Sequence, residues 1–81
     1  DLVPLARNPA SRFSFVRGGE GALMLFVDGE CFDCCGETAV FAERLCAQEQ
    51  FLLDAEAMAS EALTDLIVTL VNQGSIAFDA D

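Results

Sequence analysis

Residues 60–78 read SEALTDLIVTLVNQGSIAF and hold two elements back to back. Leu63, Leu66, Ile67, Leu70 and Val71 fall at i, i+3, i+4, i+7 and i+8, one continuous stripe on an α-helix. Ser60 is the N-cap, because a serine hydroxyl accepts a hydrogen bond from a first-turn N–H. Glu61 and Asp65 sit toward the positive end of the helix dipole, where acids are favoured. Asn72-Gln73-Gly74 closes the helix, Gly74 being free to take the left-handed conformation of a C′ residue. Ile76 and Phe78 then alternate with Ser75 and Ala77, the period of a half-buried strand. A core helix therefore hands directly to a closing strand. Its polar face, Glu61, Thr64, Asp65, Thr69, Asn72 and Gln73, carries no positive charge.

Upstream, Asp54 is placed to cap a short helix over Ala55–Ala59, with Met58 as its apolar contact. Phe51-Leu52-Leu53 before it is a brief strand or a link. A first helix runs from Gly36-Glu37-Thr38 to about Gln48, with Val40, Phe41, Leu45 and Cys46 as its buried stripe. Asp28-Gly29 is a strong hairpin signal, since both residues tolerate positive φ. It joins the apolar run Ala22–Val27, of a length and composition that predict a strand covered on both faces, to a partner strand over Glu30–Asp33. Arg12–Arg17 alternates with Phe13 and Phe15 on one face and is a third strand. Gly18-Gly19-Glu20-Gly21 links it to the second. Residues 1–10, with Pro4 and Pro9 and no periodicity, form an extended leading segment. Residues 11–81 make a single domain. The predicted core is Phe13, Phe15, Leu23, Leu25, Phe41, Leu45, Leu63, Leu66, Ile67, Leu70, Ile76 and Phe78. A small antiparallel sheet packed on about three helices is an α+β, winged-helix-like domain.

Eighty-one residues suffice for one small core, and 53% hydrophobic content with seven Phe supplies its apolar mass without a metal or disulfide. The chain opens on Asp1 rather than Met, so a piece of a longer protein is the expectation. The initial residues show no signal-peptide pattern, and no apolar run approaches membrane-spanning length. Four cysteines in that context suggest free thiols in a reducing, cytoplasmic setting. The net charge of −10 argues against nucleic acid or an anionic membrane as partner. The charge is uneven. Residues 1–19 hold Arg7, Arg12 and Arg17 against Asp1, a net +2, and residues 20–81 hold Arg44 against thirteen acids, a net −12. An acidic body suits a basic partner, while its simplest role is solubility.

Little in the chain suggests catalysis. Cys31, Cys34, Cys35 and Cys46 lack the second ligand pair of a structural zinc site, and there is no histidine to replace it. Buried cysteine ordinarily acts as a small hydrophobe. A Cys31–Cys34 redox pair lacks the thioredoxin-like βαβ context, although Cys34-Cys35 does precede a helix. Without histidine there is no Ser-His-Asp or Cys-His arrangement and no two-His-one-carboxylate iron triad. Carboxylate pairs such as Glu30 with Asp33 or Glu61 with Asp65 are too common here to mark a site. Glycines 18, 19 and 21 do not form a phosphate loop. DNA binding by a winged helix calls for cations on the recognition helix, and residues 61–72 have none.

Three stretches, S-R-F-S-F at 11–15, L-F-V-D-G-E-C-F at 25–32 and L-V-N-Q-G-S-I-A-F at 70–78, resemble in order and spacing the C-terminal winged-helix domain of bacterial cupin-like (JmjC-type) ribosomal oxygenases. The resemblance covers most of the chain, with F-x-D-G-E and L-x-N-Q-G-x-x-x-F as its most specific parts. Those enzymes are iron- and 2-oxoglutarate-dependent hydroxylases of an arginine in a large-subunit ribosomal protein. The resemblance implies a catalytic cupin barrel and a helical dimerisation region N-terminal to Asp1, with Fe(II) and 2-oxoglutarate held there. None of the family's ligand positions maps onto this chain, and the cysteine cluster is not part of its pattern. The family's winged helix is regarded as a protein-interaction or scaffold module.

Two functions follow as expectations. In one, the chain is a non-catalytic accessory domain of such a hydroxylase, holding a basic ribosomal protein or bracing the enzyme. In the other, it is a free-standing winged-helix module that adds a ligand strand to a sheet edge. Glu61, Asp65, Asn72 and Gln73 are the expected partner-contact residues; no catalytic, cofactor-binding or metal-binding residue is expected in this chain.

Overall fold

The structure, a computed structural model, describes residues 2–78. Asp1, where the leading segment begins, and residues 79–81 of the predicted domain lie outside the described residues. The elements are β1 (Leu2–Arg7), β2 (Phe13–Arg17), β3 (Ala22–Val27), β4 (Glu30–Cys35), α1 (Glu37–Ala47), β5 (Gln50–Asp54), a 3₁₀ helix (Ala55–Ala59), α2 (Glu61–Asn72) and β6 (Ile76–Phe78). The strands form two antiparallel three-stranded sheets, ordered β5-β1-β6 and β2-β3-β4. This is the expected α+β winged-helix architecture, with two α-helices and the 3₁₀ helix where three helices were expected.

The sequence signals at the ends of α2 act as expected. Ser60 Oγ accepts the Leu63 N–H at 3.3 Å. Gly74 has φ +81°, and Ser75 N–H reaches back to Leu70 O (2.9 Å) while Gly74 N–H reaches Val71 O (3.0 Å). Those two bonds form a Schellman motif, which satisfies carbonyls the helix itself leaves open. At the β3–β4 hairpin Asp28 (φ +51°) and Gly29 (φ +88°) are both left-handed, the requirement of a two-residue type I′ turn. Asp54 Oδ1 accepts the Glu56 N–H and caps the 3₁₀ helix.

The leading segment departs from the sequence reading. Extended as foreseen, it pairs with β5 on one side and β6 on the other and so becomes the middle strand of its sheet. Pro4 is tolerated there by register. Arg7 N–H donates to Glu49 O, so odd residues of β1 bond toward β5, and the N–H that Pro4 lacks faces the other way. Phe51-Leu52-Leu53 resolves as the strand β5.

One core joins the two sheets and the helices, and nine of the twelve predicted core residues belong to it, all but Phe13, Phe15 and Phe78. Phe13 and Phe15 are half-buried against it, and Phe78 is 46% exposed at the end of β6. Leu5, Val27, Ala42, Phe51 and Leu53 are additional members, with Phe41 meeting Phe51 edge-to-face at 5.8 Å. Two further expectations are corrected. Val40 is 61% exposed, because α1 buries Thr38, Phe41, Ala42 and Leu45, an i, i+3, i+4, i+7 face from which Val40 points away. The strand β3 is covered on one face only: Leu23, Leu25 and Val27 are buried, while Ala22 and Met24 are exposed on the other.

Candidate partner-binding surface

Helix α2 places Glu61, Asp65 and Asn72 within about 40° of one another around its axis. All three are exposed, and Val68, 49% exposed, lies among them. Gln73 is not on that stripe. Its side chain turns back, Nε2 donating to Ser75 Oγ at 3.0 Å. The structure thus brings three of the four expected contact residues onto one face and gives the fourth an internal bond.

That bond belongs to a network that locks α2 to the β3–β4 hairpin. Ser75, fully buried, accepts from Gln73 and donates to Asp28 Oδ2 at 3.3 Å. Asp28 Oδ1 accepts the Arg12 N–H at 2.9 Å. Asn8 completes the junction, its backbone N–H donating to Ser75 O and its Nδ2 to Gly74 O. The Arg12 N–H, the Ser11 hydroxyl and Ser75 together favour the ionised carboxylate and hold the Asp28 pKa below its ordinary value.

Beside α2 lies a groove of about 440 Å3, walled by Ala62, Asp65, Leu66 and Thr69 of α2 and by Cys31, Asp33 and Cys35 of β4, with Phe32 between them. Asp65 belongs to both the solvent stripe and this wall. Sequence reasoning set Asp33 aside with Glu30 as one of several carboxylate pairs too common to mark a site. Its one signal was the alternation of Cys31, Asp33 and Cys35 along a strand that ends a sheet.

Three of the four arginines are occupied elsewhere, and Arg12 stands exposed beside the β3–β4 turn. Arg7 Nη1 donates to Leu45 O (3.0 Å) and Cys46 O (3.3 Å) at the C-terminal end of α1, and its guanidinium lies 5.2 Å from the Phe13 ring centre. Arg44 donates to Leu52 O at 2.9 Å and stacks on Phe51 at 4.6 Å. Arg17 pairs with Glu43 at 2.6 Å. What reads in sequence as a basic N-terminal cluster thus serves largely to hold the fold together.

Among the cysteines, Cys34 is buried, Cys46 half-buried, and Cys31 and Cys35 exposed, all as free thiols. Burial pushes the Cys34 and Cys46 thiols up, against the activation a nucleophile needs. Among the described residues no three His, Cys, Asp or Glu side chains gather as metal ligands do, and the chain has no histidine. Its donor set does not fit the iron centre that the family resemblance implies elsewhere. No helix among the described residues is long and apolar enough to cross a membrane.

Helix α2 packed beside a tight hairpin, over a small antiparallel sheet, defines a winged-helix domain. The family model for the ROXA-like winged helix matches residues 3–77, and the chain belongs to that family. No curated protein and no solved structure gives a significant match.

Proposed function

We propose that this chain is a non-catalytic accessory domain of a 2-oxoglutarate- and Fe(II)-dependent ribosomal protein hydroxylase, working in the cytoplasm by holding a basic ribosomal protein. The observation that carries the reading is the cation-free surface of α2 in a ROXA-like winged helix, where Glu61 and Asp65 stand exposed. Iron and 2-oxoglutarate belong outside this chain in that reading. An acidic face speeds encounter with a basic client and repels nucleic acid, so its polarity favours protein over DNA. The test is a titration with a purified basic large-subunit ribosomal protein and with duplex DNA, each at two salt concentrations. Salt-sensitive binding to the protein alone is the expected result. Tight DNA binding would overturn the reading, and binding to neither would reduce the domain to a structural brace.

A further inference from the structure

The β2-β3-β4 sheet ends on one side at β4, and register fixes which backbone groups that edge exposes. Gly18 N–H bonds Ala22 O and Asp28 N–H bonds Arg12 O, so even-numbered residues of β3 bond toward β2. Odd-numbered residues of β3 then bond toward β4, whose own ladder residues are Glu30, Phe32 and Cys34. The backbone N–H and C=O of Cys31, Asp33 and Cys35 consequently point away from the sheet. Thr38 covers the last of these, its Oγ1 accepting from Cys35 N–H and donating to Cys35 O, each at 2.9 Å. Cys31 and Asp33 have no such cover among the described residues, and their edge opens onto the groove against α2. The β5 edge differs, because Arg44 takes its Leu52 carbonyl.

We propose that the β4–α2 groove binds an extended Arg/Lys-containing peptide, which adds to β4 as an extra strand through the backbone groups of Cys31 and Asp33. An uncovered strand edge is a template for such pairing. Charge selects the occupant. No arginine lines this groove, whereas four other surface depressions each have one in their wall. Side chains of an added strand alternate in direction, so neighbouring basic residues would meet Asp33 on the open face of the sheet and Asp65 on the helix wall. A second copy of this chain is a poor occupant, because its β4 carries two acids, Glu30 and Asp33, and no cation to complement Asp33 and Asp65 of the groove. The proposal deepens the proposed function, from which it takes the idea that the peptide is a segment of the basic client.

The test uses a probe of about six residues, an Arg-Lys pair flanked by valines, with a Glu-substituted copy as control. Backbone amide exchange by NMR gives the direct readout. Slower exchange at Cys31 and Asp33 on adding the basic peptide, with the acidic copy inert, is the expected result. Combined Asp33→Lys and Asp65→Lys should weaken binding about tenfold or more. Absence of binding, unchanged exchange at both amides, or undiminished affinity in the double variant would overturn the proposal. A ribosomal protein that binds while the peptide leaves both amides unprotected refutes the groove and leaves the proposed function standing. Protection by the peptide without binding of the ribosomal protein supports the groove and removes that client.

Discussion

Replacing Arg7 by alanine separates a structural arginine from a decorative one. The guanidinium gives one nitrogen to two carbonyls at the end of α1 and lies over Phe13, linking β1, α1 and β2. A charged hydrogen bond contributes about 1.5–3 kcal/mol, and the shared donor counts as little more than one. The ring contact adds about 0.5–1 kcal/mol, and freeing the side chain returns roughly 1–2 kcal/mol of rotamer entropy. Exposing the half-buried Leu45 and Cys46 carbonyls without a partner costs about another 1 kcal/mol. A net loss of about 2–3 kcal/mol results, which in a domain of this size lowers Tm by roughly 10–20 °C. Arg17→Ala is the control, since its bridge to Glu43 joins side chains 64% and 38% exposed and should contribute under about 1 kcal/mol. The assay is thermal unfolding followed by circular dichroism. Equal shifts for the two variants, or a fall below about 4 °C for Arg7→Ala, would refute the assignment of roles.

Leu70→Ala should cost about 2–5 kcal/mol, because Leu70 is wholly buried on α2, whereas Val68→Ala on the exposed stripe should stay within about 0.5 kcal/mol in urea denaturation. Asp28→Asn keeps a residue that tolerates positive φ but removes the charge. With the folded pKa of Asp28 lowered, its contribution is present above the unfolded value near ~4 and fades as pH falls through the folded value. Stability of the variant should therefore decline less steeply on acidification, and parallel curves would show the carboxylate makes no difference. A thiol-titrating reagent should label exposed Cys31 and Cys35 fast and Cys34 and Cys46 slowly, and uniform rates would contradict the burial described.

What the sequence disclosed depended on how local each signal is. Ser60 and Gly74 act through bonds to residues a few positions away, and Asp28-Gly29 through the positive φ that their turn demands, so their types predict their conformations. The strand β1 was read only as extended because its evidence is distant. Its partners begin at Gln50 and Ile76, and Leu2, Pro4 and Ala6 lie opposite Val3 and Leu5 with no polar alternation to mark a face. Val40 outranked Ala42 in hydrophobicity, yet close packing of α1 on the sheet favours the smaller residue at the contact. On the candidate surface the acids of α2 were legible through helical periodicity. The groove was not, since the exposed groups of Cys31 and Asp33 are backbone atoms whose direction register alone decides.

A winged helix that binds DNA needs cations free to meet phosphate on both its helix and its wing. Here a guanidinium bound to its own chain's carbonyl or carboxylate is already engaged, and Arg7, Arg17 and Arg44 are so engaged, which leaves Arg12 as a single exposed cation beside the turn. The helix meanwhile presents Glu61 and Asp65, and the hairpin turn carries a further acid, Asp28, which accepts from Ser75. The same Asp28–Ser75–Gln73 bonds fix the hairpin against the end of α2, and β4 starts directly after that turn. The strand edge and the helix wall of the groove are thereby held at a set spacing before any ligand arrives. Preorganisation of that kind lowers the ordering cost of binding, and most of that cost then falls on the incoming peptide. A peptide with extended preference and an adjacent pair of basic residues has the least to lose, so β-propensity and basicity should act together in selecting the client.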